Sequence, residues 1–276
     1  GDVILSTAAV RAVREKFPAP AYELSFLVGS ACRDIVQRNP DIDELLVCDF
    51  KNKDKGIKGL LALARQLRSR RFDMVIDLQN NRASHLLAAL TFALDRYGYN
   101  NHKLGFLLNH SINDDRAALD PVSHQFRLLK LLGIELPAPR LALYPSDADR
   151  QMVSAFLSSQ WLADNQTLIG INIGASRRWQ TKVWPLANLI RLCEELGRRD
   201  MRVVITGTAE DAPAAARLAA AVKNLKLIDT CGKLTVNQLA CLIQRCHVYI
   251  SGDSAPLHIA AAMQTPFVAL FGPTDP

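Results

Sequence analysis

The residues whose types and spacing best suit chemistry lie in SGDSAPLHIAAA, residues 251–262. There the apolar run Val248-Tyr249-Ile250 gives way to Asp253, Ser254, a proline and then His258. A strand ending here, with a helix starting at once, aims the helix's unpaired N–H groups at whatever lies beyond the strand. Ser254 suits the N-cap, and Pro256 suits the first turn, where its missing N–H costs nothing. The alanines allow close packing on a sheet. The pattern predicts an anion site, with His258 able to donate to a phosphate and Asp253 either binding a hydroxyl or capping the helix.

Three other stretches add to it. GASRRWQTKVWP, residues 174–185, offers Gly174, Ala175 and Ser176, small enough for backbone to approach a ligand. Lys182 follows, able to reach a diphosphate as a point charge. In GTAED, residues 207–211, Glu210 could accept from ribose hydroxyls or serve as a first-turn acid. In CGKLTVNQLACLI, Thr235 reads as an N-cap and Leu234 as an apolar wall. Neither Gly-x-Gly-x-x-Gly nor Gly-x-x-x-x-Gly-Lys follows a strand, which argues against a dinucleotide enzyme or a P-loop ATPase.

Other chemistries are weaker. Gly252-Asp253-Ser254 resembles the nucleophile motif of some esterases, but no Asp-x-x-His follows to supply a base. Cys241, Cys246 and His247 could hold a metal but have no fourth partner in the pattern. A nucleic-acid module could use the basic stretches, yet few aromatic residues accompany them for base stacking.

These residues need strand ends to hold them. Apolar runs at 24–28, 44–48, 73–78, 168–173, 202–206, 226–229, 248–251 and 267–271 alternate with amphipathic stretches at 59–70, 82–91, 186–198, 212–222 and 236–245. Uniformly apolar strands separated by helices predict parallel sheets covered on both faces, an α/β fold. Residues 100–123 are polar and poorly periodic, and 136–149 are proline-rich, after which the alternation restarts. Two Rossmann-like domains are expected, 1–145 and 146–276, facing across a cleft. The chain opens directly on a helix pattern and stops after a strand, so terminal segments are expected to be missing.

The chain has 276 residues, 49% hydrophobic and 22% charged, which is ample for two cores. No apolar run reaches the roughly 18 residues of a membrane span. Six cysteines without Cys-x-x-Cys spacing suit a reducing cytosol. The formal net charge is +6, with a pI near 9.1, and much of the excess sits in KNKDKGIK (51–58) and RQLRSRRF (65–72). Such runs are either solvated faces or patches facing an acidic partner.

GDVILSTAAVRAVREKFP at the start, GASRRWQTKVWP, and SGDSAPLHIAAAMQTPFVALFGPTDP at the end together resemble glycosyltransferase family 9, the lipopolysaccharide heptosyltransferases. The resemblance implies a GT-B fold, with ADP-heptose held by the second domain and a lipopolysaccharide precursor held by the first. It implies Asp2 as general base and Ala175, Ser176, Lys182, Glu210, Leu234, Asp253, Ser254, Leu257 and His258 as donor contacts. Gln79, Arg82 and Ser84 of DLQNNRASHLL would meet the acceptor, although Ala83 stands where the family pattern has a lysine. Likewise Ala255 replaces the glycine that follows the Asp-Ser or Asp-Thr pair in many members. The implied reaction is an inverting transfer with no cofactor and no metal. It would be cytoplasmic and peripheral on the anionic inner membrane, with no nucleic-acid partner.

Overall fold

A computed structural model describes residues 1–114, 119–135, 140–160, 166–175 and 182–272. The chain divides into two compact units, Asp2–Arg140 and Leu141–Pro276.

In the second unit, five strands form one parallel sheet: β6 (Leu168–Asn172), β7 (Arg202–Thr206), β8 (Ile228–Asp229), β9 (Val248–Gly252) and β10 (Phe267–Leu270). Their spatial order is β10-β9-β6-β7-β8. The chain winds outward from β6 through β7 to β8, then returns to the other side of β6 for β9 and β10. The connections between strands are helices α7 (Leu186–Arg198), α8 (Ala212–Ala221), α9 (Val236–Arg245) and α10 (Ala255–Ala262). Ile169, Ile171 and Ile173 pack with Val203 and Ile205 against Leu189, Cys193 and Leu218 to form the core. Each such aliphatic side chain contributes about 1.5–3 kcal/mol of burial. The apolar residues of β6 and β7 make these central strands legible and are covered by the flanking helices.

Gly170 lies mid-strand in β6, opposite Tyr249 of β9 and Val204 of β7. Having no side chain, it lets the Tyr249 ring cross over β6. The Tyr249 hydroxyl meets Thr206 Oγ1 of β7 at 2.5 Å, with both residues buried. Burial pushes the phenol far above its ordinary pKa, so it remains a neutral hydroxyl that can donate. Strands β9 and β7 are thereby tied to each other across β6.

The first unit opens on α1 (Asp2–Lys16), with Asp2 in its first turn and Ile4, Leu5, Ala8 and Ala9 buried. Two parallel sheets follow, β1 (Ser25–Gly29) with β2 (Glu44–Cys48), and β3 (Met74–Ile76) with β4 (Asp95–Asn100) and β5 (His110–Asn113). Helix α3 (Gly56–Arg68) joins β2 to β3, and α4 (Arg82–Leu90) joins β3 to β4. The expected break over residues 100–123 is not empty, and not every strand is apolar. Polar residues build β4 and β5 because their side chains find partners. Tyr99 is buried, stacks on His124 with centroids 3.9 Å apart, and donates to the His124 carbonyl at 2.5 Å. Tyr97 stacks on His110 at 4.5 Å. Helix α5 (Pro121–Leu129) then starts on Asp120, whose carboxylate accepts from Val122 N and Ser123 N.

Candidate active site

Because all five strands of the second unit are parallel, their carboxyl ends share one edge, and the segments singled out from the sequence leave from it. The chain reverses between β6 and β9, and such a switch point is where open α/β sheets bind ligands.

At that point Lys182 Nζ lies 2.5 Å from Asp253 Oδ2, although 71 residues separate them in the chain. The side chains are only 14% and 28% exposed, so solvent screens the pair less than it would at the surface. Gly252 lets this happen: a Cβ there would stand 3.0 Å from the Lys182 carbonyl oxygen. Asn172, at the end of β6, donates to the Gly174 carbonyl at 2.8 Å and to Ser254 Oγ at 3.3 Å, holding the two strand ends together.

Ser254 occupies the N-cap position of α10 as expected, but its side chain makes no capping bond. Its hydroxyl instead donates to the Gly252 carbonyl at 3.2 Å and lies 3.1 Å from Ser251 Oγ. The first turn of α10 is therefore not closed by its own side-chain cap, which leaves the positive end of the helix dipole open to an anion. Among the described residues the Ser254 hydroxyl meets Asn172, Ser251 and the Gly252 carbonyl, none of them a general base. His258 sits half-buried in this first turn. The Leu257 side chain is buried, and its N–H donates to the Ser254 carbonyl at 3.0 Å, which seats the turn.

Beyond β7, Glu210 is exposed in a short 3₁₀ turn, Ala209–Asp211. Its neighbour Asp211 anchors that turn. The Asp211 carboxylate accepts from Thr208 N and Thr208 Oγ1, both at 2.8 Å, and a Cβ at Gly174 would run into it. Beyond β8, Gly232 has φ +71°, and a Cβ there would stand 2.6 Å from Ala209 Cα, so the two loops pack closely. Thr235 is the N-cap of α9, in a reciprocal box with Gln238, and Leu234 beside it is half-buried. Ala175 follows the end of β6, and Ser176 lies outside the described residues. Sequence reasoning missed Asn172, whose signal was a polar residue ending an apolar strand. It also missed Asp211, whose signal was the capping spacing Thr208-x-x-Asp211.

The expected acceptor contacts and Asp2 belong to the first unit. Asp2 is exposed in the first turn of α1. Gln79 and Arg82 are exposed where β3 passes to α4. The turn between them is tightly held. Asp77 Oδ1 accepts from Gln79 N at 2.9 Å and Asn80 N at 3.1 Å, and Asn81 caps α4. Ser84 completes that capping box, so its hydroxyl is engaged by Asn81 N and O, both at 3.0 Å. Under the turn, the fully buried His85 donates from Nδ1 to the Lys103 carbonyl at 2.8 Å. Its Nε2 faces Asp77 Oδ2 at 3.5 Å. Neither of those two atoms has a hydrogen-bond partner among the described residues.

Among the described residues no group of three or more His, Cys, Asp or Glu side chains is placed to hold a metal ion. His247 Nδ1 accepts from Leu168 N at 3.1 Å, while Cys241 and Cys246 are buried.

The parallel α/β architecture is that of the GT-B class of glycosyltransferases, to which the solved structures it matches belong. The model of glycosyltransferase family 9 (heptosyltransferase) matches residues 60–276, and the chain belongs to that family. Lipopolysaccharide heptosyltransferase 2 of Salmonella typhimurium is 25% identical over 287 aligned residues, covering 100% of this chain and 81% of the relative. Among solved structures, a family 9 glycosyl transferase from Veillonella parvula superposes with a TM-score of 0.91 at 28% identity, covering 100% of this chain and 79% of that one. The E. coli ADP-heptose lps heptosyltransferase II gives 0.79 at 24% identity, with coverages of 100% and 83%. The chain is a glycosyltransferase.

Proposed function

We propose that this glycosyltransferase moves a heptose from ADP-heptose to a lipopolysaccharide inner-core acceptor, with inversion and without a metal ion. The Lys182–Asp253 pair at the opening of α10 carries this reading, because it sets a cation beside a helix N-terminus at the switch point. The likeness to lipopolysaccharide heptosyltransferase 2 supports the sugar and the acceptor class.

In the proposed reaction Asp2 takes the proton of an acceptor hydroxyl as that oxygen attacks the anomeric carbon. The bond from that carbon to the diphosphate oxygen breaks, and its electron pair leaves with ADP. Lys182, His258 and the first turn of α10 receive the negative charge that grows there, the work a metal ion performs elsewhere. Glu210 accepts from the ribose hydroxyls and Leu234 walls the base. Ala175 and Ser176 let backbone approach the diphosphate, and Asp253 and Ser254 orient the sugar and the turn. Gln79 and Arg82 contact the acceptor, with Ser84 holding their turn through the cap. No cofactor and no nucleic acid take part, and the reaction belongs at the cytoplasmic face of the inner membrane.

Titration with ADP, UDP and GDP in magnesium-free buffer tests the donor side. Selective ADP binding, weakened at least tenfold in Lys182→Ala, is the expected result. Asp2→Asn should keep that binding and lose turnover. Preference for UDP or GDP, or turnover abolished by EDTA, would overturn the donor or the metal-free reading respectively.

A further inference from the structure

The segment between β2 and α3 is built to carry charge outward. Asp49 and Asp54, the acids of the sequence DFKNKDKGIK, are both spent on its own backbone. Asp54 is buried and its Oδ2 accepts from Asp49 N at 2.7 Å, while Asp54 N donates to the Asp49 carbonyl at 2.8 Å. Asp49 accepts from Lys51 N (3.1 Å), Asn52 N (3.2 Å) and Asn52 Nδ2 (2.9 Å). Gly59 seats α3 on this knot, since a Cβ there would stand 2.6 Å from Asp54 Cα.

Asp54 is turned inward, and the half-buried Asp49 is bound to the loop's own N–H groups; Lys51, Lys53, Lys55 and Lys58 are all exposed, and Lys53, Lys55 and Lys58 have no ion-pair partner among the described residues. Between them stand exposed apolar side chains: Phe50 at 44%, Ile57 at 78% and Leu61 at 42%. Ile57 and Leu61 are one helical turn apart on α3 and share a face. A loop that only needed solubility would show its acids and hide its phenylalanine. Lysines ringing apolar side chains on a rigid support complement an interface with negative charge outside and hydrocarbon beneath.

We infer that residues 49–61 form a docking surface for an anionic lipid bilayer, with Phe50, Ile57 and Leu61 entering the headgroup layer and the four lysines on its charges. This deepens the proposed reading, on which it rests for a lipid-borne acceptor. It assigns that membrane contact to one knotted loop and the first two turns of α3.

Vesicle flotation tests it, with phosphatidylglycerol–phosphatidylcholine vesicles against pure phosphatidylcholine. The chain should bind the anionic vesicles, and 0.5 M salt should release it. A lysine near such a surface is worth roughly a fivefold change in partitioning, so Lys53→Gln/Lys55→Gln/Lys58→Gln should bind about a hundredfold more weakly. Ile57→Ser, which leaves every charge in place, should weaken binding several-fold. All replaced side chains are exposed, so each variant should fold like the parent. Equal binding to both vesicle types, indifference to the substitutions, or lysine-dependent binding of duplex DNA without vesicle binding would overturn the inference. ADP titration of the same samples separates the two readings. ADP binding without vesicle binding sinks the docking surface alone, and vesicle binding without nucleotide binding sinks the donor site alone.

Discussion

Replacing Gly170 with alanine probes the tie that holds the switch point. The new methyl carbon would stand 2.8 Å from Cys246 Sγ and 2.9 Å from Tyr249 Cε2, and nearer still to Tyr249 Cδ2. Comfortable contacts between such atoms lie at about 3.5–4 Å, so something must move. The Tyr249 ring cannot swing aside cheaply, because it is fully buried and its hydroxyl is bound to Thr206. Overpacking of this kind costs about 1–3 kcal/mol, and breaking the Tyr249–Thr206 bond adds about 1 kcal/mol. A loss of about 2–4 kcal/mol is expected for Gly170→Ala. Tyr249→Leu alone should cost about 2–3 kcal/mol through the smaller side chain and the lost bond. In the double variant the methyl enters space the ring has left, so the combined loss should fall short of the sum by at least about 1 kcal/mol. Urea unfolding followed by tryptophan fluorescence is the assay. Trp161, Trp179 and Trp184 all fall within Leu141–Pro276, so the signal reports on this unit alone. A Gly170→Ala variant within about 0.5 kcal/mol of the parent, or strict additivity in the double, would refute the argument.

Three further outcomes follow from the described contacts. The Leu24 N–H and the Arg14 guanidinium hold the Asp43 carboxyl below its ordinary value of 3.8. Because the folded value is the lower one, the stability it contributes is complete above the unfolded value and is lost as pH falls through the folded one. Melting temperatures of the parent and Asp43→Asn, measured from pH 6 down to 2, should therefore converge below pH 4. Burial pushes the thiols of Cys193 to about 11 and of Cys231 and Cys246 to about 12. Ellman's reagent at pH 8 should accordingly find Cys32, the one cysteine not buried, first, and all six only in urea. Asn81→Ala removes the cap of α4 and should cost about 1 kcal/mol, read as faster amide exchange in Arg82–Leu90, and Ser84→Ala should add less than its separate effect because the two share one box.

The second unit was the easier to read. Its longer strands are rich in Ile, Val and Leu, and α7 and α9 repeat their apolar residues at helical spacing, so pattern and burial agree. In the first unit β4 reads DRYGYN and β5 reads HSIN, and no apolar period marks either. They are strands because Tyr99 and His124 satisfy one another across 25 residues, information no local window holds. At the site the residue types were visible while their pairing was not. Lys182 and Asp253 each looked reactive alone, yet only the return of the chain to β9 sets one against the other. The knot of Asp49 and Asp54 was hidden for a similar reason, since sequence gives their charge and not the N–H groups their carboxylates bind.

The Lys182–Asp253 pair also bears on how an enzyme lets go. A cation awaiting a diphosphate in isolation would grip donor and departing nucleotide alike, and tight retention of the product would throttle repeated cycles. Here the lysine already has an intramolecular carboxylate at 2.5 Å. In the proposed reaction the diphosphate would have to displace that resident competitor to claim the lysine. The same carboxylate, returning once the sugar has gone, would compete with the spent nucleotide and favour its exchange for fresh donor.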